Sequence, residues 1–246
     1  MTKKQKNLSE LIIFVGQSGA GKTTIADAIG CKRIASCDIL REEVANRGLE
    51  DNHTNIHAVA LDLISQDPAW QAKKVLKMVK DNQLFIFDGP RNPADIQFLM
   101  KSGKKIEIIG ICSPRTVRYQ RVLEREKRLI TKEQFMQRCV DEVIWAGLNN
   151  CLSLATVYVF NNNNSLEQIH RTAVSLIAAI QSKDFPKVNP TFQKGMLGFE
   201  KFINTLSVPF ANSERMCMLM REYFNWEKEQ LKSYQRKEIP LEKFFI

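Results

Sequence analysis

Short apolar runs recur along the first 160 residues, separated by stretches whose apolar positions follow helical spacing. Leu11–Val15, Leu84–Asp88, Lys105–Cys112 and Thr156–Phe160 are four to eight residues long and rich in β-branched and aromatic types, which predicts buried strands. Arg33–Ser36 predicts a shorter one. Between them the spacing predicts helices over Asp38–Arg47 (stopped by Gly48), 55–65, 69–80, 93–102, 115–128 and 132–148. Asp38 reads as an N-cap, and so does Ser113 before Pro114. Thr131 and Gln134 form a capping box, and Ser165 with Gln168 starts a last helix that runs to about Ser182. Strands that alternate with helices predict an α/β domain in three layers, a five-stranded parallel sheet with helices on both faces. Ligands of such a sheet bind outside the C-terminal strand ends.

Past Lys183 the pattern changes. A proline-flanked link, 185–190, leads to a mainly helical C-terminal extension. Its stripes are Phe199, Phe202, Ile203 and Leu206, then Met216, Leu219, Met220 and Tyr223. The expected division is therefore a domain over 9–182 and an extension over 183–246. Packing on the first domain or on a dimer mate accounts for the stripes.

Composition narrows this picture little. The 246 residues carry a formal charge of +9, which suits an anionic partner without naming one. In the extension Lys228, Lys232, Arg236 and Lys237 interleave with Glu222, Glu227, Glu229 and Glu238, as on a solvated helix face. That mixing disfavours nucleic acid, which would need a phosphate-tracking stripe. No apolar run is long enough to span a bilayer, and the basic Met1–Lys6 precedes a run too short for a signal-peptide core, so no membrane association and a cytoplasmic location are expected. The six cysteines form no C-x-x-C pair and no metal-ligand spacing with the three histidines, and read as free thiols.

Chemistry enters at the end of the first strand. Gly16-Gln-Ser18-Gly19-Ala20-Gly21-Lys22-Thr23 fits G-x-x-x-x-G-K-[ST] without a mismatch, between a strand and a helix. Glycines let backbone N–H groups turn toward a phosphate, and the helix N-terminus adds the positive end of its dipole. Lys22 is placed to reach β/γ-phosphates and the Thr23 hydroxyl to ligate Mg²⁺, with Thr24 next on the helix. The expected ligand is ATP with Mg²⁺. Asp88-Gly-Pro-Arg91 ends another buried strand, across from the loop, where Asp88 can share the metal and Arg91 project over the same crevice. Asp38 and Arg41 lie one turn apart at the next helix start. Arg118, Arg121, Arg125 and Arg128 share one helical face, which on its own is equally a solvated charged face.

The loop, Asp38-x-x-Arg41 and Asp88-Gly-x-Arg91 together resemble the nucleoside monophosphate kinase branch of P-loop kinases, which includes the adenylate kinases. They are also similar to dephospho-coenzyme A kinase-like proteins. The likeness covers roughly residues 9–182 and extends to Val159–Glu167, the turn that flanks the adenine in such kinases, which implicates Asn162. It implies an ATP- and Mg²⁺-dependent phosphotransferase acting on a nucleoside monophosphate or similar phosphorylated small molecule. By the same resemblance, Asp38, Arg41 and Arg91 bind the acceptor, and Arg118 and Arg121 lie on the helix that leads into a short lid, about Glu124–Thr131, which supplies transition-state charge. Pro90 follows Gly89 directly, unlike adenylate kinases, which disfavours a plain adenylate kinase. No [NT]-K-x-D motif supports a GTPase switch.

Two alternatives stand beside this reading. One is a kinase of a metabolite hydroxyl, with Asp38 as the general base. The other is an ATP-driven switch whose extension binds a protein partner.

Overall fold

The computed structural model describes residues 11–81, 83–126, 130–162, 165–186, 202 and 209–245. The chain runs β1 (Leu11–Val15), α1 (Lys22–Ile29), β2 (Lys32–Ala35), α2 (Ser36–Asn46), α3 (His53–Gln66), α4 (Trp70–Met78), β3 (Phe85–Asp88), α5 (Pro93–Met100) and β4 (Ile106–Cys112). It continues through α6 (Arg115–Glu126), α7 (Lys132–Val140), a π-helical turn (Asp141–Trp145), α8 (Leu148–Leu152), β5 (Val157–Phe160), α9 (Leu166–Ser182), β6 (Phe210–Ala211) and α10 (Glu214–Gln235). A 3₁₀ turn, Leu241–Phe244, follows.

The strands form one sheet in the order β2-β3-β1-β4-β5-β6. The first five are parallel, as the helical crossovers require. The strand alternation sorts side chains to two faces. Leu11, Ile13 and Val15 of β1 pack on one side with Phe85 and Phe87, while Ile12 and Phe14 pack on the other with Ile25 of α1 and Leu176 of α9. This is a P-loop α/β fold, with a helical C-terminal part.

Five expectations are corrected. The sheet has a sixth strand: β6 pairs antiparallel with β5, and Phe160 N–H donates to the Pro209 carbonyl at 2.9 Å. Two residues carry too little pattern to be read as a strand. The single helix expected over 132–148 is three pieces, because the π turn inserts an extra residue per turn and Gly147 (φ 76°) breaks the chain into the left-handed region. Asp38 is no N-cap, since α2 begins at Ser36 and places it in the first turn; α6 likewise begins at Arg115, one residue later than the cap at Ser113 requires. Finally, Glu227 is not on a solvated face: it is 1% exposed.

The α10 stripe of Met216, Met220 and Phe224 packs in the same cluster as β1 and β3. Leu231 and Phe244 join a third cluster with Val122 of α6 and Phe135 of α7. Among the described residues no helix is long and apolar enough to cross a membrane. All six cysteines are free; Cys112, Cys139 and Cys151 are buried and Cys37 is exposed. Arg128, Phe199, Ile203, Leu206 and most of the expected lid tip lie outside the described residues.

Candidate active site around the phosphate loop

The loop between β1 and α1 takes its shape from two glycines. Gly19 (φ 80°) and Gly21 (φ 92°) lie in the left-handed region, which disfavours any side chain. Space forbids one as well: a Cβ on Gly19 would sit 2.5 Å from the Arg118 carbonyl oxygen, and one on Gly21 would sit 2.1 Å from the Asn161 amide nitrogen. Asn161 follows β5 directly and donates to the Ala20 carbonyl at 2.9 Å. Neighbouring strand ends thus clamp the loop.

The predicted metal pair is assembled. Thr23, at the start of α1, donates its hydroxyl to Asp88 Oδ2 at 3.0 Å, and Asp88, at the end of β3, is 6% exposed. Arg33 of β2 reaches the same oxygen at 3.4 Å. A hydroxyl beside a carboxylate supplies the hard oxygen ligands that Mg²⁺ prefers, so the donor set suits that ion. Lys22 Nζ donates to the Gly16 carbonyl at 2.7 Å and more weakly to that of Gln17. Burial lowers its pKa, while Asp88 and Glu142 oppose the shift and favour the ammonium form. Thr24 is exposed at the helix start and Asn162 is exposed beyond β5.

Arg118 and Arg121 are not on a solvated face. Arg118 is 1% exposed, lies over the Phe135 ring and donates to the Ser18 carbonyl at 3.3 Å. Arg121 donates to the carbonyls of Gly19 and Asn161 at 3.3 and 3.2 Å, and burial lowers its pKa. Both brace the back of the loop through its carbonyls. Arg125 is exposed and pairs with Glu126.

Arg91 sits past the Gly89 turn, whose N–H donates to the Phe14 carbonyl at 2.9 Å, so its backbone is tied to β1. Its side chain is half-exposed and pairs with Glu142 at 3.0 Å. Asp38 and Arg41 pair with each other at 3.5 Å, and Arg41 also meets Asp51 at 3.4 Å; both are largely exposed.

Two acidic residues at the loop escaped the sequence reading. Glu142, in the π turn, is 3% exposed, and its carboxylate accepts the Ser18 N–H at 3.0 Å and the Ser18 hydroxyl at 2.6 Å. Burial pushes its pKa up, but Arg91, Lys22 and the Ser18 donors outweigh this and hold it below the usual glutamate value. A carboxylate seated on a loop N–H demonstrates that the loop mouth accommodates an anion. Glu227 of α10 accepts from the Gln17 amide at 3.1 Å and from Asn149 at 3.2 Å, and pairs with buried Arg115 at 2.9 Å. Neither glutamate lies in a motif. Glu142 follows another acid, Asp141, and nothing in the sequence sets either glutamate apart from the charges around it.

Residues 15–135 match the model of the AAA domain family AAA_17. The chain is 28% identical over 189 residues to a UPF0200 protein of Methanosarcina mazei, covering 73% of this chain and 100% of that one. It is 27% identical over 164 residues to a UPF0200 protein of Aeropyrum pernix, covering 65% and 87%. Among solved structures, shikimate kinase from Acinetobacter baumannii in complex with shikimate aligns at a TM-score of 0.49 and 15% identity, covering 75% of this chain and 100% of that one. A gluconokinase from Sinorhizobium meliloti aligns at 0.45 and 15%, covering 70% and 93%. By its loop and its strand order the chain has a P-loop α/β fold, similar over residues 15–135 to the AAA_17 domain and over most of its length to archaeal UPF0200 proteins.

Proposed function

We propose that this protein is an ATP- and Mg²⁺-dependent phosphotransferase acting on a small molecule that carries a phosphate or a comparable anion. The observation that carries the reading is the convergence of Thr23 and Asp88, 3.0 Å apart, beside Lys22 in a glycine loop, with half-exposed Arg91 at the same mouth. Loop N–H groups and Lys22 suit the triphosphate, and Thr23 with Asp88 suits the metal. Held by Thr23 and Asp88, Mg²⁺ would supply positive charge against the phosphate oxygens. Arg118 and Arg121 hold the loop in its binding shape through its carbonyls, so their charge also stands behind the phosphates. Arg91 and Arg41 are the candidate grips on the acceptor, since two polyanions approach only with cations on both and the guanidinium fork binds phosphate bidentately. A nucleoside monophosphate is one acceptor of this class.

The test is phosphoryl transfer from Mg·ATP across ribo- and deoxyribonucleoside monophosphates and phosphorylated metabolites that also bear a free hydroxyl. Transfer to one acceptor, abolished in Lys22→Ala and weakened chiefly in acceptor KM in Arg91→Ala, is the expected result. Loss of ATP binding together with acceptor use in Arg91→Ala contradicts the assignment of that arginine.

A further inference from the structure

The carboxylate of Glu142 sits at the phosphate loop without a role in the reading above. Glu142 is fixed by three contacts, the Ser18 N–H, the Ser18 hydroxyl and Arg91, and it shares the electrostatic neighbourhood of Lys22. The charges of Asp88, Glu142 and Arg91 all act on Lys22. A single π turn carries Glu142 there. Such insertions re-aim side chains and recur at functional sites.

Keeping a fixed negative charge beside a bound triphosphate opposes phosphate binding unless it does something in return. An acceptor phosphate attacks with an oxygen that is already ionised, so it has no proton to lose and would only be repelled. An acceptor hydroxyl must lose its proton as it attacks, and a carboxylate held ionised at the mouth can take it. Of the other nearby acids, Asp88 stands with Thr23 as the metal pair, and Asp38 lies exposed on α2 beside Arg41.

Resting on the phosphotransferase reading above, we infer that Glu142 is the general base of this site and that the acceptor attacks with a hydroxyl. The acceptor oxygen forms its bond to the γ-phosphorus while the bond from that phosphorus to the β,γ-bridging oxygen breaks. ADP leaves with the bridging oxygen, and the hydroxyl proton passes to Glu142 and on to solvent. The charged and titratable groups around Glu142 are Arg91, Lys22, Arg118, Arg138 and Cys139. The cations keep it ionised between turnovers.

The test uses water as the smallest hydroxyl acceptor, in the wild type, Glu142→Gln and Glu142→Asp. Mg·ATP affinity is measured calorimetrically beside the rate of ATP hydrolysis. The expected result is that Glu142→Gln binds Mg·ATP as tightly as the wild type or more tightly, yet hydrolyses it at least about a hundredfold more slowly. Glu142→Asp, which keeps a carboxylate, recovers part of that loss. Unchanged or faster hydrolysis in Glu142→Gln overturns the inference, and so does a wild type that binds Mg·ATP without hydrolysing it above background. Transfer to the phosphate of a nucleoside monophosphate, equally fast in Glu142→Gln, overturns it while leaving the phosphotransferase reading intact. A wild type that does not bind Mg·ATP overturns both.

Discussion

Adjacent residues of the phosphate loop, Gln17 and Ser18, are each held by a buried glutamate brought from far along the chain, and the two anchors differ in their surroundings. Glu227 is enclosed: Arg115, its ion-pair partner, is buried too, and Asn149 completes the shell. Glu142 is equally buried, but its partner Arg91 is half-exposed and faces the loop mouth. An ion pair sealed on all sides holds parts together. One whose cation can turn to solvent or to a ligand leaves its carboxylate available for chemistry. The back of the loop is thereby a joint between α10 and the sheet, and the front is a place where bonds can change.

The contrast breaks most visibly in stability. Glu227→Ala leaves Arg115 buried without its carboxylate and is expected to cost about 3–5 kcal/mol, a fall in Tm of roughly 10 °C for a chain of this size. Glu142→Gln, whose partner can hydrate, should move Tm by only a few degrees. Equal losses in thermal unfolding would erase the distinction.

A third buried carboxylate sharpens it. Asp95 of α5 is 2% exposed and accepts the Ala72 N–H at 2.8 Å; burial pushes its pKa up to about 7. The folded state therefore holds its proton more tightly than the unfolded state. The stabilisation is complete below the ordinary aspartate value and is lost as pH rises to about 7, by at most about 4 kcal/mol. Denaturant unfolding of Asp95→Asn should flatten this pH dependence. Glu142, held below its ordinary value, contributes with the opposite sign: its stabilisation is present at neutral pH and lost on acidification.

The smallest effect is expected at Ser18→Ala. It deletes the 2.6 Å hydroxyl contact to Glu142 but keeps the N–H contact, at a cost of about 1 kcal/mol. Mg·ATP affinity should change less than about tenfold, as calorimetry would read.

What could be read from the sequence follows the same division. The loop was legible because left-handed backbone and close packing leave Gly19 and Gly21 no alternative, and because Lys22 and Thr23 have fixed places on the helix that follows. Asp88 was legible because a carboxylate ending an apolar run has few structural uses. The clamp of Arg118 and Arg121 was half-legible: their helical spacing brings them to one face, but what that face meets is a tertiary fact. Glu142 and Glu227 were not legible. Their partners lie 124 and 210 residues away, and the π turn that aims Glu142 preserves the apolar spacing of an ordinary helix. Strand β6, two residues long, is made by pairing with β5 rather than by its own composition.

The most direct measurement is calorimetric titration of Mg·ATP into the full-length wild type and Lys22→Ala at matched Tm. The account predicts saturable one-site binding in the wild type, weakened at least about tenfold in the variant by loss of the ammonium's phosphate contact. Absence of binding to the wild type, or equal affinity in the two proteins, would contradict it.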